Sequence, residues 1–437
     1  MDQHKTDRRA FLAKAAVTGA ALAAAGSVPA LAEAATRTGR ASAATTTLTF
    51  GWWSNTPVKD NAYKAWLQGY ESTHPNNKIK AEILPWSNYW DKLHTTLAGG
   101  TAYDIVGMSS GMLPQYFQND LFLDLQQFSD YKMTAANLQS TAVRLYNWNG
   151  KQYGLPVGIA LSLMGYNKNL FKKAGVPYPD PVKPMTFAQL LSAAKKLTVT
   201  SGGKTTQYGI APSNILDWSE LVEMEGGQVY DRIINPTKMT LNSAAGISGL
   251  ADYQSMYKMG VTPSVEHIAD YGGGYIQALQ TGKVAIAAIG PWDFGTILAS
   301  NLPYGVAPNP TIKRASLDAG ANGYGIYKGS KNAEAAWTFI KWAMQAQNQL
   351  KFATFSDIPA NKTAFAEVGS VVKPSAFVPT LRSQVKAYQP GVLSANAQLT
   401  TTLTNISQDL ARGRLTPAQA AAQMEQQGNA LLSQAQH

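Results

Sequence analysis

The chain has 437 residues, with 37 Lys and Arg against 27 Asp and Glu, and no cysteine. That length suffices for two or three compact domains, and the missing thiols exclude disulfides and any lipid anchor carried on cysteine, so stability must come from packing. The net charge of +10 comes from scattered basic residues rather than a stripe, which points to a solvated surface and away from nucleic acid.

The first residues read as an address. Asp7-Arg8-Arg9-Ala10-Phe11-Leu12 is a twin-arginine export motif, followed by an Ala-rich, weakly apolar stretch from Ala15 to Leu31. Gly19, Gly26, Ser27 and Pro29 interrupt that stretch, which argues against a membrane span of roughly 20 strongly apolar residues. Pro29-Ala30-Leu31-Ala32 offers a cleavage site after Ala32, with Ala34 and Ala43 as competitors. Residues 1–32 are therefore expected to be a twin-arginine signal peptide. The expected product is a monomer, exported folded through the twin-arginine translocase to a periplasm or the medium. Residues 33–46 are small and polar, a linker without periodicity.

Order is expected from Thr47, where Thr47-Leu48-Thr49-Phe50-Gly51-Trp52 alternates as a strand does. Tyr63, Trp66 and Tyr70 recur at helical spacing and stop at His74-Pro75-Asn76-Asn77. Lys78 to Leu84 alternates again, Tyr89 to Leu97 is helical, and Asp104 to Met108 is a short buried strand. Alternation of strand and helix predicts a parallel, doubly wound sheet. After Gly154-Leu155-Pro156 a second unit begins: a strand over Leu161–Met164, a short helix ending at Gly175, and a helix from Phe187 to Leu197 capped by Thr186. A further helix starts near Trp218 and ends at Gly226-Gly227. Gly320-Ala321-Asn322-Gly323 reads as a bend, and Thr416-Pro417 opens the last helix.

The most informative segment is Gly282 to Trp292. Its six apolar residues, Val284 to Ile289, predict a strand buried on both faces, and Gly290-Pro291 stops it with Trp292 at its carboxyl end. In open α/β sheets that end faces the ligand crevice. Trp52-Trp53, Trp86 and Trp218 repeat the pattern, each beside short polar residues: Ser54 and Asn55; Ser87 and Asn88; Asn214 and Asp217. Asp293 follows Trp292 in the same way. Trp66, Trp337 and Trp342 fall within helices and are assigned to packing. Trp90 suits either role.

Two glycine-rich stretches are set aside. Gly202-Gly203-Lys204-Thr205 lacks the first glycine of a phosphate-binding loop and reads as a turn. Gly272-Gly273-Gly274 lacks dinucleotide spacing and reads as a loop near the cleft. The five histidines show no metal-ligand spacing, so no metal or cofactor is expected.

Several segments resemble, in order, the extracellular solute-binding proteins of bacterial ABC importers, the carbohydrate-type group that includes maltose-binding protein. They are Gly51-Trp52-Trp53, Ala98 to Val106, Tyr166 to Val176, Gly282 to Trp292, Lys331 to Trp337 and Ile358 to Asn361. The resemblance implies a periplasmic-binding-protein-like α/β fold: two doubly wound lobes joined by hinge crossovers, with the ligand between them. It places lobe one at 47–157 and 323–372, and lobe two at 158–322 and 373–437. It adds Met108, Ser109, Ser110 and Asn322 to the candidate ligand contacts, and puts Gly154, Gly158, Gly320 and Gly323 where hinge strands bend. It also implies delivery to importer permease subunits. Asn55 stands where an acidic residue is usual, and Met108 where the related cleft has tryptophan, so a linear maltodextrin is not the expected ligand.

Sugar chemistry suits these candidates, because aromatic rings match an apolar C–H face and Asn, Ser and Asp match hydroxyls. Two rivals stand beside it. One keeps the fold with a polyamine or another small solute as ligand. The other is a secreted glycan-active enzyme using Asp217 and Asp293 as its carboxylate pair.

Overall fold

Helix α1 (Pro57–Thr73) shows how closely local sequence determines local structure. Thr56 accepts the Lys59 N–H at 3.3 Å, Pro57 takes a first-turn position, and Tyr63, Trp66, Leu67 and Tyr70 bury one face. Strand β1 (Thr46–Trp53) precedes it, and β2 (Asn77–Leu84), helix α2 (Trp86–Ala98) and β3 (Ile105–Ser109) follow. The computed structural model describes residues 45–434 apart from 55, 213–214, 268–274, 302, 317, 387–388 and 391–395. The twin-arginine segment, Asn55, Asn214 and Gly272 to Gly274 lie outside the described residues.

The remaining strands are β4 (Asn147–Trp148), β5 (Lys151–Gln152), β6 (Leu155–Ala160), β7 (Leu163–Asn167), β8 (Val199–Ser201), β9 (Lys204–Ala211) and β10 (Val284–Ile289). They continue with β11 (Tyr304–Ala307), β12 (Asp318–Ile326), β13 (Ile358–Pro359) and β14 (Gln389–Pro390). One sheet runs β13-β6-β12-β3-β1-β2, with β14 beside β12; another runs β11-β7-β10-β9-β8; β4 and β5 form a small hairpin. The α/β architecture agrees with the sequence reading, but the sheets are mixed rather than wholly parallel. β1 pairs in parallel with β2 and β3, and β10 with β9, whereas β12 is antiparallel to both β3 and β6, and β10 to β7.

The segment Val284 to Ile289 is the strand predicted, buried at all six positions and flanked by β7 and β9. Phe187–Leu197 is the helix predicted, closed by a reciprocal Thr186–Gln189 capping box. Gly202 and Gly203 form the turn predicted, both at positive φ, between β8 and β9.

Gly320 to Gly323 is a correction. It is no bend but the interior of β12, with a bulge between Asn322 and Gly323. Glycine is required there by close approach: a Cβ on Gly323 would stand 2.1 Å from the Leu155 carbonyl oxygen. The same holds at Gly154 and Gly158, where a Cβ would meet Met108 Sδ at 2.8 Å and Asp357 Cβ at 2.5 Å. None of these four glycines has positive φ.

Two hydrophobic cores result. Leu48, Phe50, Trp52, Tyr324 and Phe339 belong to the first; Phe171, Leu190, Ile210, Ile286 and Leu410 belong to the second. Trp66, Trp337 and Trp342 are buried as expected, with the Trp66 indole donating to the Asn348 carbonyl and that of Trp337 to Asp130.

Candidate functional site

Parallel pairing decides which side chains meet. β1, β2 and β3 run the same way, so their carboxyl ends share one edge. That edge carries Trp53 and Ser54, then Trp86 just past Leu84, then Ser109 and Ser110. The antiparallel β12 adds Asn322 directly opposite Ser109. In the other sheet β9 and β10 run parallel, Ala287 opposite Ala211. Their carboxyl ends lead to Asp217 and Trp218 at the start of the helix Trp218–Met224, and to Trp292 and Asp293 in a short 3-10 turn.

The candidates are not equally accessible. Trp86 is 38% exposed, whereas Trp53 is 7% exposed. Trp53 lies face to face with Trp52 at 4.2 Å and meets Trp86 edge-on at 5.1 Å. Trp90 is buried against both rings, and its indole N–H has no partner. Met108 is fully buried under Gly154 and Gly325 and presents no surface. Ser54 donates to the Thr56 carbonyl, and Ser110 Oγ accepts the Ala321 N–H at 3.1 Å. The helix-start residues Asp217 and Trp218 are half-buried.

Trp292 is half-buried, belongs to neither core, and lies across Gly290, where a Cβ would come within 2.3 Å of its ring. The glycine before the proline therefore does more than end the strand: it seats the indole. Asp293 Oδ2 accepts the Gly290 N–H at 3.0 Å, closing the same turn.

Two residues that sequence reasoning missed complete the constellation. Asp357, buried ahead of β13, accepts from Asn322 Nδ2 at 2.8 Å, leaving Asn322 Oδ1 buried and unpartnered. Lys59, in the first turn of α1, feels Asp357 and also Asp293 from the other sheet. Burial pulls the Lys59 ammonium below its usual range, and the two carboxylates and Asp60 pull it back. Burial likewise raises the Asp357 carboxyl against Lys59 and Asn322, and pushes Asp293 up to about 6 against the Gly290 N–H and Lys59. A cation at the positive end of a helix is electrostatically unfavourable, and that local conflict was the available sign of Lys59. Among the described residues, no group of three His, Asp or Glu side chains is placed to hold a metal, and no helix is long and apolar enough to cross a membrane.

Sequence comparison decides the family. Residues 65–378 match the model of the bacterial extracellular solute-binding protein family. The chain belongs to that family. This solute-binding protein is 24% identical over 373 residues to the galactooligosaccharide-binding protein of Bacillus subtilis, spanning 83% of this chain and 84% of the relative. Among solved structures, the binding protein is similar to an ABC substrate-binding protein from Listeria monocytogenes in complex with cycloalternan. That match has a TM-score of 0.78 at 21% identity, over 89% of this chain and 99% of the other. It is also similar to an ABC transporter solute-binding protein from Thermotoga lettingae bound with α-D-tagatose, at a TM-score of 0.74 and 21% identity over 89% and 100%. These likenesses establish the two-lobed binding-protein fold with a cleft between lobes.

Proposed function

We propose that this binding protein captures a sugar or short oligosaccharide between its lobes and delivers it to the permease of an ABC importer. The observation that carries the reading is the pair of sheet edges, each ending in accessible tryptophan beside polar side chains, with Trp292 seated outside either core. The Bacillus relative named for galactooligosaccharides and the neighbours solved with saccharides support it. The lobes are proposed at 47–157 with 323–372, and at 158–322 with 373–437. Export by the twin-arginine route and action as a monomer, in a periplasm or outside the cell, belong to the same proposal.

The polyamine alternative needs several carboxylates free to meet ammonium groups. Asp293 and Asp357 are candidates, but both already act on the Lys59 ammonium of the chain itself. A calorimetric screen of neutral sugars, acidic sugars and polyamines separates the readings. The expected result is a saccharide bound at micromolar affinity or tighter, about −8 kcal/mol; binding of polyamines alone would overturn it. Incubation with labelled oligosaccharides should give no cleavage, which disposes of the enzyme reading.

A ligand touching both lobes favours the closed arrangement by its difference in affinity for the two states. Small-angle scattering should therefore show a smaller radius of gyration at saturating ligand. An unchanged radius would instead favour a preformed site within one lobe. Gly154, Gly158 and Gly323 are packed against neighbours, and residues 158–160 pair with 320–322 inside the first sheet. The bending is therefore proposed to fall in the links 161–162 and 308–316 between the sheets, which moves the proposed lobe boundaries from 157/158 and 322/323 to those links.

A further inference from the structure

A cavity of about 590 Å³ lies apart from the aromatic edges, and it is lined by Arg144, Glu223, Tyr230, Asp231, Arg232 and Arg314 among others. Arg144 comes from the last turn of the helix Ser140–Arg144, just ahead of β4; Glu223 comes from the end of the helix Trp218–Met224, and the other residues from the loop after that helix and from the link before β12. Three arginines from three separate stretches thus converge on one space.

The two acids there are already engaged. Asp231 accepts from the Thr237 N–H, the Thr237 hydroxyl at 2.6 Å and the Lys238 N–H, and Glu223 accepts from Ser316 at 2.8 Å. The guanidinium groups keep free donors, although Asp231 already feels Arg232. Each carries five N–H donors. Arg314 spends Nε on the Glu223 carbonyl and Nη2 on that of Gly227, and Arg232 spends Nε on the Asn235 carbonyl. Arg144 makes no hydrogen bond or ion pair among the described residues. The carbonyl contacts fix two forks in place without neutralising them, and Arg144 brings a third cation to a space that holds two carboxylates.

We propose that this cavity is a subsite for an anionic substituent, carboxylate or phosphate, on the captured saccharide. The proposal rests on the carbohydrate reading above. Planar guanidinium forks match carboxylate and phosphate in paired hydrogen bonds, and three guanidinium groups against the carboxylates of Glu223 and Asp231 leave an excess of positive charge facing the space. The helix Trp218–Met224 connects the two places: Trp218 begins it at the aromatic edge and Glu223 lines the cavity near its end. At 1.5 Å per residue its length is about 10 Å, a distance that a short oligosaccharide spans. Uronate-bearing or phosphorylated oligosaccharides are therefore the expected ligand class.

The test is an array of neutral and acidic oligosaccharides probed with the full chain, followed by calorimetry on the best acidic binder and its neutral counterpart. The acidic member should bind at least about tenfold tighter, as loss of a hydrogen bond to a charged group implies, and the preference should shrink as salt is raised. The double variant Arg144→Gln with Arg232→Gln should lose that preference; Lys at both positions should keep part of it, since charge remains without the fork. Melting of each variant, compared with the parent chain, shows whether it is folded. Neutral saccharides binding as tightly as acidic ones, or a Gln variant that keeps the preference, would overturn the subsite while leaving the carbohydrate reading intact. Retention of no saccharide of either kind would overturn both.

Discussion

Replacing Trp52 with alanine should cost about 3–5 kcal/mol of folding stability, the range for deleting a large aromatic from a core. Trp52 is fully buried, stacks on Trp53 at 4.2 Å and packs against Tyr63, Tyr324 and Phe352. The variant should melt well below the parent chain or fail to fold. Trp292→Ala should behave in the opposite way. Its ring is half-buried over Gly290 and outside both cores, so melting without ligand should change little. Ligand affinity should fall by about 1–3 kcal/mol, the value of a good apolar contact. Thermal melts paired with calorimetry check both. A Trp292→Ala protein that unfolds yet keeps its affinity would make Trp292 a packing residue.

That contrast also marks what the sequence disclosed. Both tryptophans follow or end a strand, yet Trp52 is fully buried in the first core and Trp292 is half-buried outside both. Local signals were enough where local chemistry decides: the Thr186–Gln189 capping box, the Gly202-Gly203 turn, and the six apolar residues of β10. They failed where partners are remote. β12 joins β3 and β6 across more than 150 residues, and such antiparallel pairing leaves no periodic mark that separates it from a parallel strand. Its glycines read as flexibility because composition alone does not distinguish a backbone that turns from one that is crowded. Asp357 and Lys59 were missed for the same reason. Nearly 300 residues separate them, and only the fold brings α1 to the segment before β13, where Tyr63 Oη and Ser356 Oγ share a hydrogen bond of 2.9 Å. The arginines at 144, 232 and 314 looked like scattered surface charge for want of the fold that gathers them.

Asp293→Asn should raise stability at pH 8 and leave it unchanged near pH 4. The Asp293 carboxyl holds its proton up to about 6, against 3.8 for an ordinary aspartate, chiefly because burial penalises its charge. Between those values the folded chain binds more protons than the unfolded chain, so its stability falls as pH rises from about 4 to about 6. Above that window the cost of the buried carboxylate is fully present, on the order of 1–3 kcal/mol at 1.36 kcal/mol per pKa unit. Asparagine keeps an oxygen to accept the Gly290 N–H but carries no charge to bury. Lys59 loses one of its carboxylates in the exchange, which trims the gain. Melts of both proteins from pH 4 to pH 8 check this, and a difference independent of pH would refute it. Under the proposed role of Asp293 as a ligand contact, a carboxylate is favoured because it accepts hydroxyl hydrogen bonds more strongly than a neutral acid. Ligand hydroxyls that donate to Asp293 stabilise its ionised form, so binding should lower its pKa. Affinity should then rise as pH increases through 6, with protons released on binding. Calorimetry at pH 6 in two buffers of different ionisation enthalpy measures that release directly, and Asp293→Asn should abolish it.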